Sequence, residues 1–308
     1  MFRYALRRLI IMVPIGIIVT FIVYAMVFAL PGDPIQALSG DKPLAPSVIA
    51  AKRAYYHLDD PLFSQYLHFM GNLLQGNLGQ TFDGQDIGEQ LALRWPVTLQ
   101  LGLTALAIQT VFGLLFGIYA GWRRDGLVDR ALLGATLAVL AVPGLVVMFF
   151  AQSLFSVQLG WFPVSGSADG WPTSYLLPAT VLGVLGFAGL ARITRTSLVE
   201  VAGADFVRTG RAKGLSPQRI LWRHVLRNAL LPVITFIGLD LAGTLGGAII
   251  TEGIYNLNGI GQFMFRSIGM KEGGVVVTLS TVLLIGYMVV NLIVDLLYGL
   301  LDPRVRHV

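Results

Sequence analysis

The stretch RTSLVEVAGADFVRTGRAKGLSPQRILWRHVLRNALLP, residues 195–232, is strongly basic and lies between stretches that carry almost no charge. Eight of the chain's 22 Lys and Arg residues lie between Arg192 and Arg227, against two acids. Such a segment is too polar to cross a bilayer, because each central charge costs about 2.5 to 3.5 kcal/mol. Its Ala, Leu and Arg content favours helix, and Gly214 and Pro217 mark a turn. We therefore expect a cytoplasmic loop built as helix, turn and helix.

The rest of the chain has the composition of a membrane protein. Hydrophobic residues make up 55% and charged residues 13% of the sequence, about half the charged fraction of roughly 25% in soluble domains. Six stretches reach the length of about 20 apolar residues that a spanning helix needs. They cover residues 9–30, 97–121, 131–157, 175–192, 232–252 and 275–299. The sequence therefore predicts an all-α fold, a polytopic membrane bundle of six transmembrane helices.

The positive charges are distributed unevenly between the two sides that these six spans define. With the N-terminus inside, 16 Lys and Arg residues fall on the cytoplasmic side and six on the external side. This is the asymmetry of the positive-inside rule, so both termini are predicted to be cytoplasmic. The first span follows Arg3, Arg7 and Arg8, and its apolar run is too long for a signal peptide. We interpret it as an uncleaved anchor.

The predicted spans divide the chain into three parts: an anchor helix at residues 1–30, an extracytoplasmic segment at 31–96, and a five-helix core at 97–308 that includes the cytoplasmic loop 195–231. In the external segment, apolar residues at helical spacing predict an amphipathic helix. These residues are Phe63, Tyr66, Leu67, Met70, Leu73 and Leu74. Their face either packs on the bundle or contacts an external partner.

Polar residues inside the spans cost free energy unless they face protein or water. Asp240 falls near the middle of the fifth span. A polar stripe recurs on one face of the last span, at Asn291, Asp295, Tyr298 and Asp302. These residues either line a solute path or pin neighbouring helices together. In the pinning alternative, Asp295 pairs with Arg192 or Arg195.

Small residues and one proline give further expectations about packing. Gly113, Gly117 and Gly121 form two overlapping GxxxG spacings, which let helix backbones approach closely. Pro143 lies inside the third span, where it removes a backbone hydrogen bond and predicts a kink.

No catalytic motif is visible. The sequence has no phosphate-binding loop, no His-Glu-x-x-His zinc motif and no nucleophile elbow, and the absence of cysteine excludes disulfides and thiolate ligands. An intramembrane hydrolase would need a nucleophile and a base that we do not find. His57 and His68 are interpreted as surface histidines without a ligand set. We therefore predict a chain that is not an enzyme and that binds no metal or cofactor.

The run DFVRTGRAKGL, Asp205–Leu215, followed by HVLRNALLP, His224–Pro232, resembles the coupling loop of peptide permeases, the membrane subunits of binding-protein-dependent ABC importers. Gly210 stands where that family usually has alanine. Further motifs resemble the first of the two permease types in dipeptide and oligopeptide systems. They are LPGDP at Leu30–Pro34, LDDPLFSQY at Leu58–Tyr66, GNLGQT at Gly76–Thr81 and NLIVDLLYGLLDPR at Asn291–Arg304.

The resemblance implies the type I importer permease fold in the inner membrane of a prokaryote. It also implies a heterodimer with a second, similar permease, two cytoplasmic ATPase domains that use ATP and Mg²⁺, and an extracytoplasmic solute-binding protein. ATPase coupling is assigned by resemblance to residues of the basic loop. They are Asp205, Arg208, Thr209, Arg211, Ala212, Lys213, Gly214, His224 and Asn228.

The implied substrates are short peptides, with nickel chelates and oligosaccharides as alternatives within the family. A rival from another class is an ion-coupled secondary carrier, in which Asp240 or Asp295 would bind the driving ion. Such carriers often contain internal repeats, and the two halves of this chain show no convincing repeat.

Overall fold

The computed structural model describes residues 2–29 and 45–301, and 81% of these described residues are helical. The LPGDP motif at residues 30–34 and the predicted stripe residue Asp302 lie outside the described residues, as does the side chain of Tyr298. The helices are α1 (Phe2–Phe28), α2 (Pro46–Tyr55), α3 (Leu62–Leu74), α4 (Ile87–Trp122), α5 (Leu127–Ala141), α6 (Gly144–Ala151), α7 (Thr173–Ala202), α8 (Asp205–Ala212), α9 (Pro217–Ile220), α10 (Leu226–Tyr255), α11 (Ile260–Gly269) and α12 (Gly273–Leu301). Two π-helical segments, Gln152–Gln158 and Leu221–Val225, continue α6 and α9.

Among the described residues, five helical stretches are long and apolar enough to cross a membrane. They lie in α1, α4, α7, the continuous stretch from α9 into α10, and α12. The count becomes six if the bent pair α5 and α6 forms one span. The six predicted spans therefore correspond to five long helices and one bent pair, and the all-α bundle is confirmed.

The third predicted span departs most from expectation. The kink predicted at Pro143 is a break of 95° between α5 and the helix that starts at Gly144. Val142 adopts extended backbone angles, φ −98° and ψ 128°, because a residue before proline avoids the helical region. Pro143 is also extended, at ψ 130°, so two consecutive residues leave the helix and turn the chain.

The structure separates into two compact units. The first contains residues up to Thr98 together with Asn258–Leu292. One of its cores joins Tyr24 of α1, Tyr66 of α3 and Val277 of α12. A second core joins α4, α11 and α12 through Ile87, Leu91, Ile260, Phe263, Val275 and Leu279.

The predicted amphipathic helix exists as α3, but the predicted face is only partly the buried one. Tyr66 is buried and Met70 packs against the same core, whereas Phe63, Leu67 and Leu74 are exposed. The inward face also contains Phe69 and Gln65. Hydrophobic patterning could not identify Gln65, because this residue is polar and yet buried. Its amide donates hydrogen bonds to backbone carbonyls, and the distance to the carbonyl oxygen of Asp60 is 2.8 Å.

The second unit contains Leu99–Leu257 and the chain from Ile293. Within it α7 packs against α5, α6 and α10. The predicted glycine stripe on α4 faces α7, as expected of a close helix contact. A Cβ at Gly113 would lie 2.8 Å from Leu190, and one at Gly117 would lie 2.7 Å from the backbone oxygen of Ala191.

This contact gives a first prediction. Gly117→Ala is expected to destabilise the fold by about 1–3 kcal/mol, because a backbone oxygen must move to admit the methyl group. Gly134→Ala on α5 is the matched control, since its Cβ would meet nothing within 4 Å. Denaturation in mixed micelles measures both, and equal midpoints for the two variants would show that α4 and α7 are not held this closely.

Candidate functional site

The basic loop folds as the helix, turn and helix that its sequence predicts. Helix α8 follows the extended residue Ala204 and buries Val207 completely. A hydrophobic cluster, the loop core, joins α8 to the end of α7 and the start of α10. It consists of Leu198, Val207, Ile220, Leu221, Val225, Leu226 and Ala229. Helix α8 therefore shares one hydrophobic core with two long helices.

The opposite face of α8 is exposed and mostly basic. The side chains of Asp205 and Arg208 are 97% and 79% exposed and form a loose ion pair at 3.7 Å. Arg211 and Lys213 are also exposed, and Phe206 is 45% exposed. The hydroxyl of Thr209 donates to the backbone oxygen of Asp205, at 3.1 Å. This face offers cations beside an aromatic ring, a composition suited to contact with another protein.

Helix α8 ends in a Schellman turn. Gly214 has φ +72°, its N–H donates to Arg211 O at 2.9 Å, and the N–H of Leu215 donates to Gly210 O at 3.2 Å. This pattern requires a left-handed residue at the position of Gly214, so the turn predicted at Gly214 is confirmed. A Cβ at Gly210 would make only ordinary contacts, the nearest at 3.7 Å.

The returning helix starts with a cap. The N–H of Arg219 donates to the hydroxyl of Ser216 at 3.4 Å, and Pro217 occupies the first turn, where its missing N–H costs nothing. The π-helical segment that follows contains half-buried His224. The amide of Asn228 donates to the backbone oxygen of His224 at 2.8 Å. The structure thus brings these two predicted residues together, next to the loop core.

The structure gives Arg195 a carboxylate partner that differs from the predicted one. Arg195 forms a two-pronged ion pair with Asp129 of α5, in which Nη2 and Oδ2 are 2.8 Å apart. Asp129 is only 2% exposed and Arg195 18%. Arg195 therefore has an acidic partner on α5 that was not predicted. The predicted pairing of Asp295 with Arg192 or Arg195 stays a prediction. Asp129 is a residue that the sequence pattern did not reveal.

Asp240 meets a polar partner inside the second unit. Its carboxylate accepts a hydrogen bond from the side-chain amide of Gln109 on α4, and Gln109 is buried. A Cβ at Gly186 on α7 would lie 3.3 Å from the Asp240 carboxylate and would overlap the Gln109 amide. Gly186 therefore leaves the space in which the pair meets. The lone amide in the apolar run ALAIQTVFG is the signal that would have identified Gln109.

The other two predicted intramembrane residues lie on the last helix, α12. Asn291 and Asp295 are both half-buried on α12. The amide oxygen of Asn291 is enclosed and accepts no hydrogen bond from any described residue. The roles predicted for Asn291 and Asp295 stay predictions.

Comparison with known proteins identifies the transport machinery to which this loop belongs. Residues 113–307 match the family model of the binding-protein-dependent transport system inner membrane component. Residues 1–102 match the model of its N-terminal part. The chain belongs to this family. It is a multi-pass inner membrane permease of a binding-protein-dependent ABC importer, and membership favours that assignment over the ion-coupled carrier.

Among relatives of this permease, the di/tripeptide transport system permease protein DppB of Pseudomonas aeruginosa is 38% identical, with 100% of this chain and 99% of that protein aligned. The glutathione transport system permease protein GsiC of Salmonella typhimurium is 36% identical, with 100% of both chains aligned. A solved structure of the MetNI methionine ABC transporter matches with a TM-score of 0.57 and 17% identity, over 69% of this chain and 96% of that one. The last similarity shows the fold alone.

Proposed function

We propose that this permease forms one half of a translocation pathway for short peptides, which an extracytoplasmic solute-binding protein delivers. Full-length similarity to permeases named for di/tripeptides and glutathione supports this substrate class. The second half of the pathway comes from a similar permease, and two cytoplasmic ATPase domains bind ATP and Mg²⁺. The observation that carries the proposal is α8, a rigid helix that is apolar on its anchored face and basic on its exposed face.

In this proposal, α8 docks in a groove of an ATPase domain. Arg208, Arg211 and Lys213 contact the groove, and Val207 transmits the displacement to the loop core. Because that core includes Leu198 of α7 and Leu226 of α10, movement of the ATPase turns both helices together. ATP binding then drives the conversion from an inward-facing to an outward-facing permease.

Asp240 acts as a helix pin in the same proposal. Its hydrogen bond with Gln109 joins α10 to α4 beside Gly186 of α7, so one polar contact lies where three helices meet. A half-buried carboxylate with a buried amide donor has a hydrogen-bond partner within the protein. Asp240 therefore has a structural partner, and no driving ion is needed to explain its position.

The test of the proposed function is uptake by the complete complex in proteoliposomes, with the binding protein and ATP supplied. We expect a radiolabelled dipeptide or tripeptide to accumulate and to stimulate ATP hydrolysis. A labelled nickel chelate and an oligosaccharide, supplied in parallel, are expected to give no accumulation. Uptake of either compound in place of peptides would overturn the substrate assignment while leaving the importer assignment intact.

We also propose that both termini and α8 lie on the cytoplasmic side, as the distribution of Lys and Arg indicates. The chain has no cysteine, so single-cysteine variants report one position each. Ser165→Cys, between α6 and α7, is expected to react with an impermeant maleimide added to intact cells. Ser216→Cys is expected to react only after the cells are opened, and labelling of Ser216→Cys from outside would reverse the orientation.

A further inference from the structure

The turn that joins α2 to α3 contains a histidine in an unusual backbone position. His57 has φ +51°, its N–H donates to Ala54 O at 3.2 Å, and the N–H of Leu58 donates to Arg53 O at 3.0 Å. This is a Schellman turn, in which glycine or asparagine normally occupies the left-handed position. A histidine there bears conformational strain, and strained residues are concentrated at functional sites.

The turn brings His57 next to two other side chains of types that can bind a metal ion. The ring of His57 stacks on that of His68 from α3, with centroids 4.2 Å apart and planes 12° apart. Asp60 Oδ2 lies 3.6 Å from His57 Nδ1 and 3.9 Å from His68 Nε2. One ligand atom from each residue lies within 4.8 Å of the others. The two histidines are eleven residues apart in sequence, and the turn between α2 and α3 brings their side chains together in space.

Neighbouring contacts fix the turn without using the three ligand atoms. The buried amide of Gln65 donates to the backbone oxygen of Asp60 at 2.8 Å. The adjacent acid Asp59 is held by Arg53 at 2.7 Å, so Asp59 and Asp60 point their carboxylates at different partners. The backbone positions of His57 and Asp60 are therefore set before any ligand arrives.

The ligand set and its spacing suit a divalent transition metal. Imidazole nitrogen and carboxylate oxygen bind Zn²⁺ at about 2.0–2.2 Å, and three protein ligands leave the fourth position open. Tetrahedral ligands at these lengths lie about 3.3 Å apart, so closing around an ion needs side-chain shifts of about 1 Å. The stacked rings must also rotate out of parallel, because a metal lies in the plane of each imidazole that binds it. The three side chains are 43% to 51% exposed and have room for such shifts.

The site adjoins an open cavity in the same unit. His57 and His68 line it together with Tyr55, Tyr56 and Asn72. A metal held by the histidines has its remaining coordination position available to water, or to a donor atom of a molecule in this cavity.

We propose that His57 Nδ1, His68 Nε2 and the Asp60 carboxylate form a binding site for a divalent transition metal of the zinc class. Imidazole also binds Ni²⁺ and Cu²⁺, and these ions fit the same set. The bound metal cross-links the end of α2 to the second turn of α3. The proposal is independent of the transported substrate.

The experiment titrates Zn²⁺ into the full-length chain in nanodiscs against a chromogenic chelator, with a purification tag that contains no histidine. We expect one equivalent to bind, and its affinity to fall at least tenfold in each of His57→Asn, His68→Gln and Asp60→Asn. Asparagine at residue 57 keeps the left-handed turn, so this variant removes the ligand and spares the fold. Size-exclusion elution checks that each variant is folded.

Two matched controls separate this site from other sources of zinc binding. Asp59→Asn removes the neighbouring acid, and His224→Gln removes a histidine of the basic loop; both are expected to keep the wild-type affinity. The proposal is overturned if any of the three ligand variants keeps that affinity, or if the equivalent is lost in His224→Gln. Cu²⁺ electron paramagnetic resonance gives a second readout, with hyperfine splitting from two nitrogens that becomes that of one in either histidine variant.

Discussion

Gly214→Val is expected to reduce peptide uptake to about a tenth of the wild-type rate or less, with all spans still inserted. At φ +72° a non-glycine residue costs about 1–2 kcal/mol, and a β-branched one is a genuine outlier. Each 1.4 kcal/mol changes a population tenfold, so the turn that ends α8 would seldom form. The effect is conformational, because a Cβ at Gly214 would meet nothing within 4 Å.

Graded variants at Gly214 distinguish this cause from a general sensitivity of the loop. Asparagine tolerates the left-handed region, so Gly214→Asn is expected to keep most of the uptake. Gly210→Ala removes a glycine from the interior of α8 without a clash and should leave uptake unchanged or raised. The measurements are dipeptide uptake, ATP hydrolysis and recovery of the ATPase subunit in a pull-down.

The ranking of the Gly214 variants by uptake tests whether α8 receives the force from the ATPase. If α8 receives the force, uptake falls from glycine to asparagine to valine, and recovery of the ATPase falls in the same order. Equal uptake by the valine and asparagine variants would show that the geometry of this turn does not matter for transport. Arg211→Glu tests the exposed face separately, and normal ATPase recovery in that variant would remove Arg211 from the docking surface.

Local sequence signals predicted the basic loop well. The charges between Arg192 and Arg227, the helix-forming residues of α8 and the glycine at its end act over a few residues, and each corresponds to an observed element. The glycine stripe on α4 was also predictable, because its spacing of four residues is itself the packing signal. Neither needed knowledge of a distant residue.

The magnitude of the break at Pro143 could not be predicted in the same way. A proline removes one hydrogen bond and restricts the residue before it, and both effects permit a bend of any size. The 95° angle arises because Val142 and Pro143 are both extended. A Cβ at Gly144 would lie 3.0 Å from Leu185 of α7, so packing against α7 also constrains the helix after the break.

Residue pairs that are distant in sequence were missed for a common reason. Arg195 and Asp129 are 66 residues apart, and Gln109 and Asp240 are 131 apart. Only the packing of α4, α5 and α10 on or beside α7 brings them together. The sequence also did not predict that three residues closer together in the chain, His57, Asp60 and His68, would lie side by side. Nothing in it showed that a non-glycine residue would take the left-handed position of the turn. Side-chain constellations therefore depended on the fold, whereas the helices and the glycine turn of the basic loop did not.

The ion pair between Asp129 and Arg195 gives the second large expected effect. Asp129→Asn should destabilise the permease by about 3 kcal/mol, because the change leaves a largely enclosed arginine without its counter-charge. This is the lower end of the range for buried pairs, since Arg195 keeps 18% of its side chain exposed. Asparagine retains an oxygen for the N–H of Asp125, which donates to Asp129 at 2.9 Å. The variant therefore removes the charge and spares the turn between α4 and α5.

Loss of the ion pair between Asp129 and Arg195 should also reduce transport. Arg195 lies on α7 one turn before Leu198 of the loop core, so the ion pair ties α5 to the segment that leads into α8. The expected result is a lower denaturation midpoint in mixed micelles together with reduced dipeptide uptake. Asp125→Asn is the matched control, because that carboxylate is 78% exposed and an exposed pair contributes about 0–1 kcal/mol.

A double variant decides whether the arginine's unpaired charge is the cause. Arg195→Met with Asp129→Asn removes both charges, and a buried pair replaced on both sides costs far less than one that is broken on one side. We therefore expect the double variant to be more stable than Asp129→Asn alone. If it is less stable, by the sum of the two single changes, then the two side chains contribute independently and the pair does not hold α5 to α7.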